Sequence, residues 1–264
     1  MIAHGGVVAH LTFAVVAVAA TAAYGWAWRT ARNVGLTQLV AWGLATVAVV
    51  VATSPPIERL AAATFTGHMV QHLGLIVLAA PLFAVARPVS VFANRRPGWV
   101  VPTSGERRSA RSVRRWGPAA APAMFLVVLF ATHLTGIYDL ALRSRSVHDL
   151  EHAAYLGSAV ALWAVVLAPN SAHAAARVGT AFAVIAGSAA LGAVLTSADR
   201  PLIATYATLL GDTDALRDQR LAASLMWVGG MASSLPLLMA AVWTWASREQ
   251  RTAERAEQLS DARR

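Results

Sequence analysis

The sequence predicts an all-α fold, a polytopic membrane helix bundle of seven transmembrane helices with its N-terminus outside and its C-terminus in the cytoplasm. Three observations carry that prediction. Of 264 residues, 57% are apolar and only 13% charged, a balance unlike that of soluble domains. The apolar residues gather into seven runs of about the length that crosses a hydrocarbon core, roughly 20 helical residues. The arginines between those runs alternate between dense and sparse segments. A β reading fails because the runs are rich in Ala and Leu, lack period-two alternation and are not joined by hairpin turns.

In order, the runs are Val7–Trp28, Leu36–Thr53, Phe65–Ala86, Pro118–Ile137, Val147–Ala168, Val178–Thr196 and Gln219–Ala246. No soluble domain fits between them, so residues 1–246 form one transmembrane domain and 247–264 a charged cytoplasmic tail. The first run lacks a preceding basic segment, so a cleaved signal peptide is not expected. Leu36–Thr53 is the shortest and sits at the low end of the spanning range. Ahead of the fifth run, Ser146 and Asp149 form an S-x-x-D pattern resembling a capping box, which marks a helix start. The sixth run carries Ala183, Gly187, Ser188 and Gly192, and the seventh Gly229, Gly230, Ser233 and Ser234. Small residues at such spacing let these two helices approach closely. The tail mixes both charge signs and reads as a solvated extension of the last helix.

Orientation follows from arginine counts in alternate loops, since cytoplasmic loops are enriched in basic residues. All 22 basic residues are Arg; sixteen fall on one side (positions 29, 32, 87–115, 177 and 248 onward) and six on the other. The first side is therefore cytoplasmic. Trp26, Trp28, Trp163, Trp243 and Trp245 cluster toward it, where amphipathic rings anchor a bundle. The longest loop, 87–117, holds eight of the arginines. It reads first as a topology determinant and second as a surface for anionic lipid. The net charge of +9 does not indicate nucleic acid, because no nucleic-acid-binding fold supports it.

With that topology, seven of the eight histidines fall on the outer side, and His173 alone is inner. His68 and His72 lie four residues apart on one helical face at the outer end of the third run. Gln71 falls beside them and Met69 turns away. His133 lies about one turn from the outer end of the fourth run. His148, Glu151, His152 and Tyr155 form one stripe at the outer end of the fifth. Asp218 and Gln219 open the seventh, and Gln219, Ala223, Met226 and Gly230 share a face. Ionisable residues within a membrane are costly and mark function by default. A shared ligand site of His68, His72, His133, His148 and His152 is therefore expected. His4 and His173 read as incidental and His10 as a weak candidate.

Imidazoles without thiolates suit copper, zinc, iron or haem; no Cys is present. A thioether from Met226, or less readily Met69, would favour monovalent copper. Glu151 and Asp139 are placed to orient rings and fix tautomers. His148-x-x-Glu151-His152 also matches the H-x-x-E-H of inverted zinc peptidases, a short motif of weak specificity with no third ligand in view. Bis-histidine haem ligation across two helices is the more serious rival. A binding protein is expected, not an enzyme, with copper transport or metal-dependent hydrolysis as alternatives.

Several spaced motifs resemble the CtaG family of cytochrome c oxidase assembly factors, the polytopic family and not the single-span copper chaperone that shares the name. They are Ser54-Pro55, Gly67-His68-Met69-Val-Gln71-His72, Ala79-Ala-Pro81-Leu82, Arg87-Pro88, His133, Tyr138-Asp139, His148…Glu151-His152, Trp163, Tyr206, Asp218-Gln219 and Met226-Trp227. Two departures are the Ala86-Arg87 pair, where a small residue before Pro88 is expected, and Ala222-Ala223-Ser224, where a Gly commonly follows Asp-Gln. The resemblance implies a multi-pass protein of the bacterial plasma membrane that matures a haem–copper oxidase, with cytochrome c oxidase subunits as partners and copper as the cofactor handled.

Overall fold

A computed structural model describes residues 7–31, 34–93, 104–167 and 174–261. The seven apolar runs are helical over their described parts except at Thr53, Thr135, Gly136 and Leu167, and no strand occurs among the described residues. The helices are α1 (Val7–Thr30), α2 (Leu36–Ala52), α3 (Pro55–Ala63), α4 (Phe65–Leu73), α5 (Ala80–Ala86), α6 (Pro88–Ala93), α7 (Ser104–Leu134), α8 (Ile137–Arg143), α9 (Arg145–Val166), α10 (Ala174–Ser197), α11 (Ala204–Leu210) and α12 (Asp212–Asp261). A π-helical segment, Gly74–Ala79, joins α4 to α5.

Among the described residues, four helical stretches are long and apolar enough to cross a membrane: Phe65–Ala93, Gly117–Leu134, Ala175–Ser197 and Asp212–Arg255. Counting Leu36–Ala52 and Pro55–Ala63, bent by 49°, as one broken span makes five. α9 falls short of that set because its first two turns hold Arg145, His148, Asp149, Glu151 and His152. The surface is rich in exposed Val, Leu, Phe and Trp, among them Val15, Val18, Val127, Phe182, Val228 and Trp243. Buried within are His68, Gln71, His72, His133, Glu151, His152 and Gln219. Apolar outside and polar within is the arrangement that lipid demands.

Several local expectations are corrected. The S-x-x-D pattern does not start α9: Ser144 is the N-cap, Ser146 lies inside the helix, and Asp149 pairs with Arg145 at 2.9 Å. The same guanidinium reaches Glu58 of α3 at 3.3 Å, so an ion pair fixes the start of α9. The helix of the seventh run begins earlier than expected, at Asp212, ahead of Asp218, and continues through the charged tail to Asp261. Trp163 is not an interfacial anchor; it is buried and donates to the Ile76 carbonyl at 2.8 Å. The loop 87–117 is helical over Pro88–Ala93 and again from Ser104. The side chains of its arginines from 95 to 115 lie outside the described residues, as do His4, His173 and the side chain of His10.

The π segment explains the Trp163 contact. Ala80 N–H bonds to the Leu75 carbonyl, five residues back, so the π register persists to that point. The next donor in that register would be residue 81, which is a proline and has no N–H. The Ile76 carbonyl is thus left without a helical partner, and the Trp163 indole supplies one. At the far end, Arg87 adopts the left-handed conformation (φ 52°, ψ 51°), the geometry for which a smaller residue was expected.

α10 and α12 pack together as expected, with Gly192 against Trp227. The other small residues serve different neighbours: Gly187 faces Leu126 of α7 and Gly229 faces Leu73 of α4. α4 also packs on α3, where a Cβ at Gly67 would overlap the Leu60 backbone.

Candidate metal centre

α4 is held at its start more firmly than its nine residues would suggest. A helix N-terminus leaves its first N–H groups without internal partners. Here Thr64 N–H donates to Leu60 O, and the Thr64 side chain accepts from Gly67 N at 3.0 Å. The Asp218 carboxylate, arriving from α12, accepts from Phe65 N at 2.6 Å and Thr66 N at 3.2 Å. Asp218 therefore caps α4 and does not touch an imidazole itself. Gln219 beside it ties α12 to Leu202 N and Leu195 O. Gln71 donates to Ala52 O, fastening α4 to α2.

On this anchored turn, His68 Nε2 and His72 Nε2 stand 3.0 Å apart. α9 brings the second histidine pair against them. Ring centroids are 5.2 Å apart for His68 and His148, 5.5 Å for His72 and His152, and 4.2 Å for His148 and His152. Glu151 Oε2 lies 3.6 Å from His68 Nε2 and 4.0 Å from His72 Nε2. Two overlapping sets, His68–His72–His152 and His68–His148–Glu151, each bring their ligand atoms within 4.8 Å of one another.

Orphaned atoms converge here. Among the described residues, buried side-chain atoms of this cluster without a hydrogen-bond partner include His148 Nε2, His152 Nε2 and both Glu151 carboxylate oxygens. Buried polar groups are ordinarily paired, and an unpaired one costs about 1–3 kcal/mol. A set of them on one centre could hold a metal ion. Two nitrogens about 2.0–2.1 Å from one ion, at angles between square and tetrahedral, stand about 2.9–3.4 Å apart. The 3.0 Å separation of the His68 and His72 nitrogens fits that span.

Tyrosines enclose the rings. Tyr138 packs on His68 and Tyr155 on His72, at centroid distances of 4.6 and 4.4 Å. The Tyr206 hydroxyl donates to Ala61 O at 2.6 Å, so its oxygen accepts from His68 Nδ1 at 3.4 Å. That assigns the proton to Nδ1 and leaves Nε2 of His68 free toward the cluster. Burial raises the Tyr206 phenol above its ordinary value, so it serves as a neutral donor. Asp139 acts one step removed: it accepts from Ala204 N, Thr205 N and the Thr205 hydroxyl, capping the helix that carries Tyr206. It orients no ring directly, contrary to expectation.

His133 and Met226 stand outside both ligand sets. His133 packs beside Phe65 and Tyr138, and Met226 is buried in the core that α4, α9, α10 and α12 share. Thr132, hydrogen-bonded to the Tyr155 hydroxyl, had no sequence signal at all.

The fold and this centre define a class: an all-helical protein, among its described residues, with several helices long and apolar enough to cross a membrane and a buried imidazole–carboxylate cluster among them. The model of the cytochrome c oxidase caa3 assembly factor family matches residues 22–248, and the chain belongs to that family. Curated relatives include the uncharacterised proteins Mb0105 of Mycobacterium bovis and MT0111 of Mycobacterium tuberculosis, each 24% identical over 248 residues. The match covers 85% of this chain and 36% of each relative, so the chain spans about a third of their length. No solved structure matches the chain.

Proposed function

We propose that the protein assists cytochrome c oxidase assembly by binding copper at His68, His72, His148, His152 and Glu151 and passing it to an oxidase subunit. The observation that carries this reading is the convergence of unpartnered imidazole nitrogens and a bare carboxylate on the 3.0 Å His68–His72 pair. Imidazole ligands suit copper. A transfer site must release its ion, and a mixed imidazole–carboxylate shell does so more readily than a closed thiolate one. Haem is the poorer fit, because Tyr138 and Tyr155 pack directly on the His68 and His72 rings, at centroid distances of 4.6 and 4.4 Å, where a macrocycle held between α4 and α9 would need space. The role is binding and delivery without catalysis.

The copper reading is tested by metal analysis of the purified protein after loading with copper in either oxidation state. Stoichiometric copper that is lost in a His68→Ala/His72→Ala/His152→Ala variant supports it, and no copper at all sinks it. The membrane arrangement is proposed with it: seven spans in the plasma membrane, N-terminus outside, with the arginine-rich 87–117 segment against anionic lipid. Because the chain has no Cys, single cysteines report sidedness cleanly. In intact cells Thr208→Cys should react with an impermeant maleimide, and Ala253→Cys only after permeabilisation; the opposite pattern rejects the orientation.

A further inference from the structure

The imidazole–carboxylate centre leaves one of the gathered histidines unused. A cavity of about 60 Å³ adjoins the centre, bordered by the π segment and by α7, α9, α10 and α12. His72 and His133 both line it, together with Met69, Met226 and Met231. Three of the six methionines in the chain therefore meet at one cavity.

The tautomer of His133 is set by its neighbours. Its Nδ1 lies 2.9 Å from the Leu129 carbonyl oxygen, which can only accept, so Nδ1 carries the proton. Thr132 donates its hydroxyl proton to Val128 O at 2.9 Å, and the Tyr155 hydroxyl in turn bonds Thr132. Both therefore turn oxygen lone pairs, not protons, toward His133 Nδ1. Nε2 is left as a bare lone pair, and it is buried without a hydrogen-bond partner. A free imidazole lone pair and thioethers around one small cavity form a donor set softer than the neighbouring centre. Thioethers select monovalent copper, whereas imidazole and carboxylate also accept divalent ions.

We propose that His133, Met69, Met226 and Met231 form a second, softer metal site for monovalent copper, adjoining the imidazole–carboxylate centre through His72. This deepens the copper reading above and rests on it for the identity of the ion. It divides the five histidines between two centres.

The test is an anaerobic titration of the full chain in detergent micelles with monovalent copper against a chromophoric chelator, with X-ray absorption at the copper edge. Two coppers per chain are expected, with sulfur as well as nitrogen scatterers. Met69→Leu/Met226→Leu/Met231→Leu preserves side-chain volume and so the packing, which circular dichroism verifies. It should abolish the sulfur signal and one equivalent of copper. His133→Leu should weaken that same equivalent at least tenfold. His68→Ala/His152→Ala should remove the other equivalent and leave sulfur in place. A single copper without sulfur, lost in His68→Ala/His152→Ala, overturns the second site and leaves the first standing. A single copper with sulfur that survives this pair supports the second site and overturns the first. Sulfur that persists in the folded triple Leu variant also overturns it.

Discussion

Glu151→Gln isolates the charge of the centre from its shape. The carboxylate lies 3.6 and 4.0 Å from the two Nε2 atoms that face each other. An ion about 2.0–2.1 Å from those nitrogens stands about 2–5 Å from the nearer carboxylate oxygen, depending on which side of the pair it takes, and about 4 Å is a middle value. At an effective dielectric constant of about 20, two unit charges at that distance attract by about 4 kcal/mol. The amide keeps the volume and removes the charge, so affinity for monovalent copper should fall about a thousandfold. For a divalent ion the Coulomb contribution doubles, to about 8 kcal/mol, and the loss should be far larger. The two affinities are measured by chelator competition on purified wild-type and variant protein. A loss below tenfold, or equal losses for the two ions, refutes a carboxylate that acts by charge at this distance.

Three further substitutions test how the fold holds the site. Asp218→Asn removes the charge that caps α4 at Phe65 and Thr66; thermal unfolding in micelles should register a loss of about 0.3–1 kcal/mol, with weakened copper binding, and unchanged affinity would make the cap purely structural. Trp163→Phe leaves the Ile76 carbonyl unpaired in the π segment, at a cost of about 1–3 kcal/mol, which the same melts detect. Gly67→Ala pushes a methyl group into the Leu60 backbone; overpacking of about 1–3 kcal/mol should lower the melting temperature and displace His68, and a neutral outcome would mean that α3 yields easily.

What the sequence made legible was whatever depends on local pattern. Seven apolar runs predicted helices, and helices they are. The i, i+4 spacing of His68 with His72 and of His148 with His152 placed each pair on one face, and the arginine asymmetry brought both pairs to one level. What stayed hidden depends on long-range partners. Asp218 caps a helix more than 150 positions away along the chain, at Phe65 and Thr66. Asp139 caps α11 across 65 residues at Ala204. No local pattern carries such a contact. The short helices α3, α8 and α11 also escaped notice, because segments of seven to nine residues are too brief to display a period. They bring the Ala61 carbonyl, Tyr138 and Tyr206 to the rings. The separation of His133 from the other four was equally invisible, since depth alone cannot distinguish one centre from two.

The π segment between His72 and Ala80 has a consequence for how the two halves of this helix relate. A turn that closes over five residues instead of four holds one more residue than the α register does. One residue of an α-helix corresponds to a rotation of about 100°. Ala80 and Ala86, which are buried in the second half, are therefore dialled round by about that angle from where a straight helix through His68 and His72 would put them. The first half can keep its histidines aimed at α9 while the second half chooses its own packing face. Removing one residue from positions 74–79 would fuse the halves into a single rigid cam, in which satisfying either face misaligns the other.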